Sequence, residues 1–176
     1  MCQFILTNSD KQRVISQSYD YIDQFNALLN TEFEKVPVYF DLKGKCSGMF
    51  VVRDSNQWIR YNEAIFSRYF EDAIVNTTAH EVAHYIAYQL YPRQAIKPHG
   101  KEWKQLMSML GLKAEVTSRY DLDGLPLRQQ QKHLYICDCR QHKLTTTRHN
   151  KIQNKKAAYS CKFCRQTLRL QTSVAI

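Results

Sequence analysis

Residues 78–86 read TAHEVAHYI and carry His80, Glu81 and His84 in the spacing H-E-x-x-H. Small and apolar residues surround these three, which predicts a helix with a buried face. Residues four apart on a helix lie one turn apart on the same face, so both imidazoles can bind one ion. Glu81 is rotated away from the ion but can reach a water molecule beside it. The stretch therefore predicts a catalytic zinc site, with His80 and His84 as ligands and Glu81 as general base.

A catalytic zinc site of this kind needs a third protein ligand. A longer pattern, with glycine and histidine three and six residues after His84, is excluded because Ala87 and Leu90 stand there. Two candidates follow the helix, His99 and Glu102. We prefer His99, because a flanking proline and glycine fix an unusual backbone around it. Glu102 then supports the site or the start of the next helix.

The pattern around this stretch predicts an α+β domain in which helices pack on a small antiparallel sheet. Apolar residues at three- and four-residue steps indicate the helices, and alternation between turn residues indicates the strands. The predicted elements are a helix over 8–34, a strand over 36–42, a hairpin over 49–61, a helix over 70–91 ended by Pro92, and a helix from about 100 to 110.

The formal charge of +9 is concentrated in the last third of the chain. Residues 1–120 carry 14 Lys+Arg and 13 Asp+Glu, which gives 14 − 13 = +1. Residues 121–176 carry 11 and 3, which gives 11 − 3 = +8. This asymmetry indicates an anionic partner, most simply nucleic acid, although a solubilising surface has the same composition. We expect a catalytic domain over 1–120, a linker over 121–132 and a small basic domain over 133–176.

Four of the six cysteines lie in the basic segment, in two close pairs. Cys161 and Cys164 have the C-x-x-C spacing that binds zinc. Cys137 and Cys139 are one residue closer, and in an extended strand their side chains would lie roughly 7 Å apart. They can share an ion only if the chain turns there; otherwise His142 replaces one of them. We predict a small β zinc ribbon held by one structural zinc ion at these four cysteines, with His142 as the alternative ligand.

The same segment offers groups that suit a nucleic acid. Its basic side chains can contact phosphates, and Tyr135 or Phe163 can stack on unpaired bases. Tyr135 and Tyr159 suit a small core equally well. Residues 143–152 are predicted as a strand. The basic residues are Lys132, Arg140, Lys143, Arg148, Lys151, Lys155, Lys156, Lys162 and Arg165.

No targeting or membrane segment is visible in the sequence. Residues 1–13 lack the basic region and apolar run of a secretory signal. No apolar stretch is long enough to cross a bilayer. We expect a cytoplasmic protein without membrane contact, and the sequence says nothing of its oligomeric state.

Two further runs carry a resemblance to a known family. Residues 98–112, PHGKEWKQLMSMLGL, follow residues 80–91, HEVAHYIAYQLY, and together they resemble the SprT family of zinc-dependent peptidase-like proteins. The resemblance extends to the sheet and to the zinc ribbon of bacterial members. These parts are 39–50, YFDLKGKCSGMF; 58–66, WIRYNEAIF; 133–152, HLYICDCRQHKLTTTRHNKI; and 157–170, AAYSCKFCRQTLRL.

The resemblance implies a minimal zincin-like metalloprotease domain with few loops over its cleft. It implies His80, His84 and His99 as zinc ligands, Glu81 as general base, and Trp103 as a packing residue behind the metal. The wider group includes the Spartan proteases, which degrade proteins crosslinked to DNA. The expected function is zinc-dependent hydrolysis of proteins on or crosslinked to DNA. The alternative is a non-catalytic zinc protein that binds nucleic acid.

Overall fold

A computed structural model describes residues 4–91, 96–127 and 131–171. The chain divides into two compact units, Met1–Arg128 and Gln129–Ile176. Within the described ranges, no helix combines the length and apolar character needed to span a bilayer. The first part of the predicted linker is attached to the first unit, because Arg68 and Tyr69 donate hydrogen bonds to the main-chain carbonyl of Asp121.

The helices of the first unit begin with α1, which has a capping box formed by Thr7 and Asp10. It ends earlier than predicted because Asn30 adopts the left-handed conformation, with φ 53°. Pro92, the predicted end of the long central helix, lies outside the described residues. The helices are α1 (Asn8–Leu29), α2 (Glu63–Arg68), α3 (Phe70–Asp72), α4 (Thr78–Leu90) and α5 (Lys101–Met109).

The helix predicted over 70–91 is interrupted by a π-helical segment, Ala73–Thr77, directly before α4. The Thr78 hydroxyl donates to the main-chain carbonyl of Ile74 within this segment. Single π-turns inside helices are frequent at functional sites. Here the π-turn immediately precedes the helix that carries His80, Glu81 and His84.

The sheet of the first unit consists of β1 (Val38–Tyr39), β2 (Gly48–Arg53) and β3 (Asn56–Tyr61), in the order β1-β3-β2. Strands β2 and β3 form the predicted hairpin. Strand β1 pairs parallel to β3, so the expectation of a purely antiparallel sheet was wrong. The chain passes from β1 to β2 at the far edge before it returns through β3 in the centre, and β3 runs parallel to β1. As a result, β2 is an edge strand.

The core of the first unit lies around α4, which packs against α1, α5 and β2. Each large apolar side chain buried there stabilises the fold by about 1.5–3 kcal/mol. This packing fixes the position of α4, and with it the candidate site. The largest fully buried side chains in this core are Trp103, Tyr61, Tyr85, Phe25, Phe66, Ile22, Ile59, Ile86 and Met107.

The second unit is a three-stranded antiparallel sheet with one helix. Its elements are β4 (Lys132–Ile136), β5 (Gln141–Thr145), α6 (Thr146–Gln153) and β6 (Arg169–Leu170). Its small core contains Tyr135, Leu144 and Leu168 together with Cys137 and Cys161. The structure confirms the predicted α+β fold class with a β ribbon, because it contains helices, two small sheets and a cysteine cluster.

The core of the second unit corrects one expectation and decides between the two alternatives for Tyr135. The strand predicted over 143–152 ends at Thr145, and α6 follows it. Helical spacing places His149 and Ile152 on one side, where the His149 imidazole meets the Tyr135 hydroxyl at 3.1 Å. Tyr135 is fully buried, so its ring belongs to the core and is closed to base stacking. Phe163, by contrast, is 71% exposed.

Candidate metal centres and active site

The imidazoles of His80, His84 and His99 converge on one point in the first unit. Their Nε2 atoms lie 3.2 Å apart for His80 and His84, 3.0 Å for His84 and His99, and 2.9 Å for His80 and His99. Ligand nitrogens of a tetrahedral zinc ion lie roughly 3.3 Å apart. The structure therefore brings together all three histidines that the sequence singles out, at the spacing of metal ligands.

The chemistry of this triangle fits a cation. A neutral imidazole nitrogen is either a donor or an acceptor, so three of them in mutual contact cannot satisfy one another. Burial, together with the neighbouring imidazoles, lowers the pKa of His80 to about 4 and that of His84 to about 3. Burial also lowers the pKa of His99. The rings are therefore neutral at pH 7, and the cluster can bind a metal ion through its lone pairs.

Two groups orient these rings from behind. An imidazole N–H of His80 donates to the main-chain carbonyl of Glu115. Because Nε2 of His80 faces the other rings, this proton lies on Nδ1, which leaves Nε2 free for a metal. The ring of Trp103 lies 4.6, 5.5 and 4.7 Å from the rings of His80, His84 and His99, and its indole N–H donates to the His80 carbonyl. Trp103 is 1% exposed, which fits the packing role that the resemblance implies.

His99 owes its position to an unusual backbone conformation. Its φ is 57°, in the left-handed region, where a non-glycine residue costs about 1–3 kcal/mol. The amide of Gly100 donates to the carbonyl of Lys97 and closes the turn just before α5. Glu102, the alternative third ligand, lies in the first turn of α5, outside the histidine cluster. Its carboxylate is 3.9 Å from the Lys101 amine.

Glu81 lies beside the histidines and is buried, with 6% of the residue exposed. The Phe50 amide donates to Glu81 Oε2 at 2.7 Å, so the edge strand β2 holds the carboxylate in place. Burial raises the pKa of Glu81 to about 8, and the Phe50 hydrogen bond acts in the opposite direction. A cation bound by the neighbouring histidines would also favour the ionised form.

Gly48 makes room for that carboxylate. A Cβ atom at residue 48 would lie 2.6 Å from Glu81 Cγ, 2.8 Å from Glu81 Oε1 and 2.9 Å from Thr77 Cγ2. Gly48 precedes the hairpin predicted over 49–61, so the sequence assigned it no role in the site. In the structure Gly48 begins β2, and a glycine inside a strand often marks a close approach of another group. The Phe50 amide and the Glu115 carbonyl are main-chain groups, so no residue type in the sequence indicates their roles.

The histidines and Glu81 open into a cavity of about 1230 Å³. Strand β2 lines it through Gly48, Met49, Phe50 and Val52, and residues 111–113 and 115–120 line it as well. Small-molecule pockets usually measure about 300–1,000 Å³. The cavity is therefore somewhat larger than a typical small-molecule pocket.

The four paired cysteines come together in the second unit. The sulfur atoms of Cys137, Cys139, Cys161 and Cys164 all lie within 4.8 Å of one another. Cys139 Sγ lies 3.4 Å from Cys137 Sγ and 3.6 Å from Cys161 Sγ, near the roughly 3.8 Å between sulfurs of a tetrahedral zinc site. The chain does turn between Cys137 and Arg140, where the Cys137 amide donates to the Arg140 carbonyl. This cluster can also bind a metal ion.

His142 lies against this cluster from β5. Its Nε2 is 3.3 Å from Cys137 Sγ. The structure thus places the alternative ligand at the edge of the cluster, next to Cys137, while the four sulfur atoms form the compact group.

Basic side chains dominate the surface of the second unit. Between residues 131 and 171 the single acidic residue is Asp138, which pairs with Arg169 at 2.9 Å. The end of α6 and the turn after it place Lys151, Lys155 and Lys156 together, all exposed. The Arg140 guanidinium lies 3.6 Å from the centre of the exposed Phe163 ring. The positive charge is therefore almost unopposed within this unit.

Comparison with known proteins gives a consistent result. A model of the SprT-like family matches residues 18–123, more than half of the chain and all of the histidine cluster. Protein SprT of Vibrio parahaemolyticus is 37% identical over 132 residues, which cover 74% of this chain and 76% of that protein. Protein SprT of Actinobacillus succinogenes is 31% identical over 158 residues, which cover 89% of this chain and 87% of that protein.

Protein SprT of Pasteurella multocida is 31% identical over 165 residues, which cover 93% of this chain and 94% of that protein. This likeness extends into the second unit. No solved structure matches the chain. The chain belongs to the SprT-like family.

Proposed function

We propose that this protein is a zinc-dependent metallopeptidase that hydrolyses proteins on, or crosslinked to, DNA. The observation that carries the proposal is the buried Glu81 carboxylate, held at 2.7 Å by the Phe50 amide beside three convergent histidines. A purely structural metal site has no need of a base. The histidine cluster offers three ligands, whereas the cysteine cluster of the second unit offers four. A three-ligand site leaves a position open for chemistry.

The proposed reaction assigns a task to each residue. His80, His84 and His99 would hold a zinc ion, which would act as a Lewis acid toward a water molecule and the substrate carbonyl. The Phe50 amide occupies Glu81 Oε2, which leaves Oε1 to accept a proton from the attacking water. Glu81 then gives that proton to the leaving amine nitrogen. Trp103 and the Glu115 carbonyl keep the imidazoles in the orientation that this requires.

Strand β2 suits a polypeptide substrate. The Asn62 amide donates to the Ser47 carbonyl, so these two residues form a hydrogen-bonded pair. In an antiparallel hairpin such pairs recur at every second residue, which makes Met49 and Val51 the next residues of β2 that bond to β3. The main-chain groups of Gly48 and Val52 therefore point away from β3, toward the free edge that lines the cavity. An extended peptide can bind such an edge through main-chain hydrogen bonds, largely independent of its sequence.

Replacing Gly48 by alanine should reduce peptidase activity by about tenfold or more, because the added methyl group displaces Glu81 from its position. The KM for the substrate should change little, since the displaced group is the base. Arg53→Ala, at the end of the same strand, is the matched control and should stay near wild type, because its side chain is 81% exposed and does not line the cavity. Steady-state kinetics and zinc content of both variants test this. An unchanged kcat in Gly48→Ala would show that the close approach has no role in catalysis.

We propose that DNA binds the second unit through its basic surface. The support is the unopposed charge of Lys151, Lys155 and Lys156 and the exposed Phe163 ring. Phosphate contacts of this kind provide affinity without sequence preference. The DNA would bring substrate proteins to the peptidase.

Changing Lys151, Lys155 and Lys156 together to alanine should weaken DNA binding and make it less dependent on salt. Each lost phosphate contact reduces the slope of log K against log salt by about 0.9, so three contacts reduce it by roughly 2.7. The matched control removes three exposed lysines of the first unit, Lys43, Lys101 and Lys104. Fluorescence anisotropy with duplex and single-stranded oligonucleotides over a salt series measures the slopes. Equal slopes for the two triple variants would exclude this lysine cluster as the DNA contact.

A further inference from the structure

The second unit brings five metal-binding side chains to one place, although a tetrahedral zinc ion takes four. Four are the cysteines whose sulfurs lie within 4.8 Å of one another. The fifth is His142, with Nε2 3.3 Å from Cys137 Sγ. One of these five groups therefore has a role other than direct coordination.

The main chain shows that the two cysteine pairs form equivalent turns. Cys161 Sγ accepts the amide N–H of Phe163 at 3.4 Å and also that of Cys164. Cys137 Sγ likewise accepts the amides of Cys139 and Arg140. Each turn thus points backbone N–H groups at its first, buried cysteine, which is how a thiolate is stabilised in a metal-binding turn. This equivalence favours two cysteines from each turn as the ligand set.

His142 approaches the cluster from outside both turns. It lies on β5, directly opposite Tyr135 of β4, and its side chain contacts both Cys137 and Cys161. These two are the buried cysteines, one from each turn. A thiolate with little access to water needs hydrogen-bond donors, and a neutral imidazole N–H is one.

We infer that Cys137, Cys139, Cys161 and Cys164 bind the metal ion and that His142 donates its Nε2–H to the Cys137 thiolate as a positioning residue. The imidazole then fixes β5 to the turn that carries Cys137. It also offsets part of the excess negative charge of four thiolates on a divalent ion. This inference concerns the second unit alone and is independent of the proposed peptidase activity.

Cobalt(II) substitution of the full-length chain tests the inference. His80→Ala and His84→Ala are introduced first, so that the cysteine cluster is the remaining site. The visible absorption spectrum of the bound cobalt(II) ion distinguishes coordination by four sulfur atoms from coordination by three sulfur atoms and one nitrogen atom. We expect the four-sulfur spectrum, and we expect His142→Ala to keep it. A three-sulfur, one-nitrogen spectrum in the starting protein overturns the inference, whatever the variants show.

Metal affinity provides the second readout. Loss of a group that orients a ligand usually weakens metal binding by about 10–100-fold, so His142→Ala should release zinc to a chelator correspondingly sooner. His142→Gln keeps an N–H donor but is a poor zinc ligand, and it should restore most of the affinity. Lys143→Ala, the next residue on β5, is the control for general destabilisation. A glutamine variant as weak as the alanine variant contradicts the hydrogen-bond role.

Discussion

Replacing Glu81 by glutamine is expected to reduce peptide hydrolysis by at least about 100-fold, because the side chain can no longer accept a proton from the attacking water. Glutamine has nearly the same shape, and its carbonyl oxygen can still accept the Phe50 amide that holds the carboxylate at 2.7 Å. The histidine cluster should therefore keep its geometry and its zinc. The signature of the variant is lost activity at unchanged metal content.

The measurement uses purified full-length protein with zinc, DNA and a protein covalently linked to an oligonucleotide. Glu71→Gln is the matched control, because its side chain is 81% exposed and lies outside the cavity. It should cleave like wild type. If wild type cleaves nothing and Glu81→Gln behaves identically, the peptidase proposal fails. The non-catalytic alternative would then explain the protein better.

Failure of the peptidase proposal would still leave the geometry of Glu81 to be explained. A buried carboxylate is costly unless it is hydrogen-bonded or paired with a cation. Here one oxygen has the Phe50 amide, and a glycine at residue 48 is needed to accommodate the side chain. These two features concern the placement of one carboxylate beside three histidines that can bind a metal ion, which is why we propose a chemical role for it.

The sequence predicted the local part of this site and could not predict its surroundings. His80, Glu81 and His84 follow from helical spacing alone, and His99 from a turn that a proline and a glycine define. Their assignment as zinc ligands and base stays a prediction. The Phe50 amide and the Glu115 carbonyl are main-chain groups, so no residue type marks them. Only the folded chain brings them to Glu81 and His80.

Helix α6 shows a different limit of sequence interpretation. The run Thr145–Thr147 is rich in β-branched residues, which favour strands, and it led to the prediction of a strand over 143–152. Tertiary contacts decide otherwise, since a helix brings His149 to the Tyr135 hydroxyl and Ile152 to the small core. Because the second unit has few apolar residues, each such contact contributes a large part of the free energy that favours the observed conformation.

Metal removal at the cysteine cluster should therefore have a far larger structural effect than removal at the histidines. A structural zinc ion contributes about 10–16 kcal/mol to the folding of zinc-finger peptides. Burial of Leu144 and Leu168 contributes only about 1.5–3 kcal/mol each. We expect Cys161→Ala to lose one zinc ion, unfold the second unit and abolish DNA binding. Hydrogen exchange should show lost protection in β4 and β5 while α1 and α4 stay protected.

His84→Ala should lose the other zinc ion while the second unit and DNA binding stay intact, because the two clusters lie in separate compact units. Cys46→Ala, an exposed cysteine outside both clusters, is the control and should keep both ions. Metal analysis of the three variants beside wild type provides the count. If Cys161→Ala and His84→Ala each lost both ions, the two sites would depend on each other. If Cys161→Ala kept its ion and its fold, the cysteine cluster would not be the structural centre of the second unit.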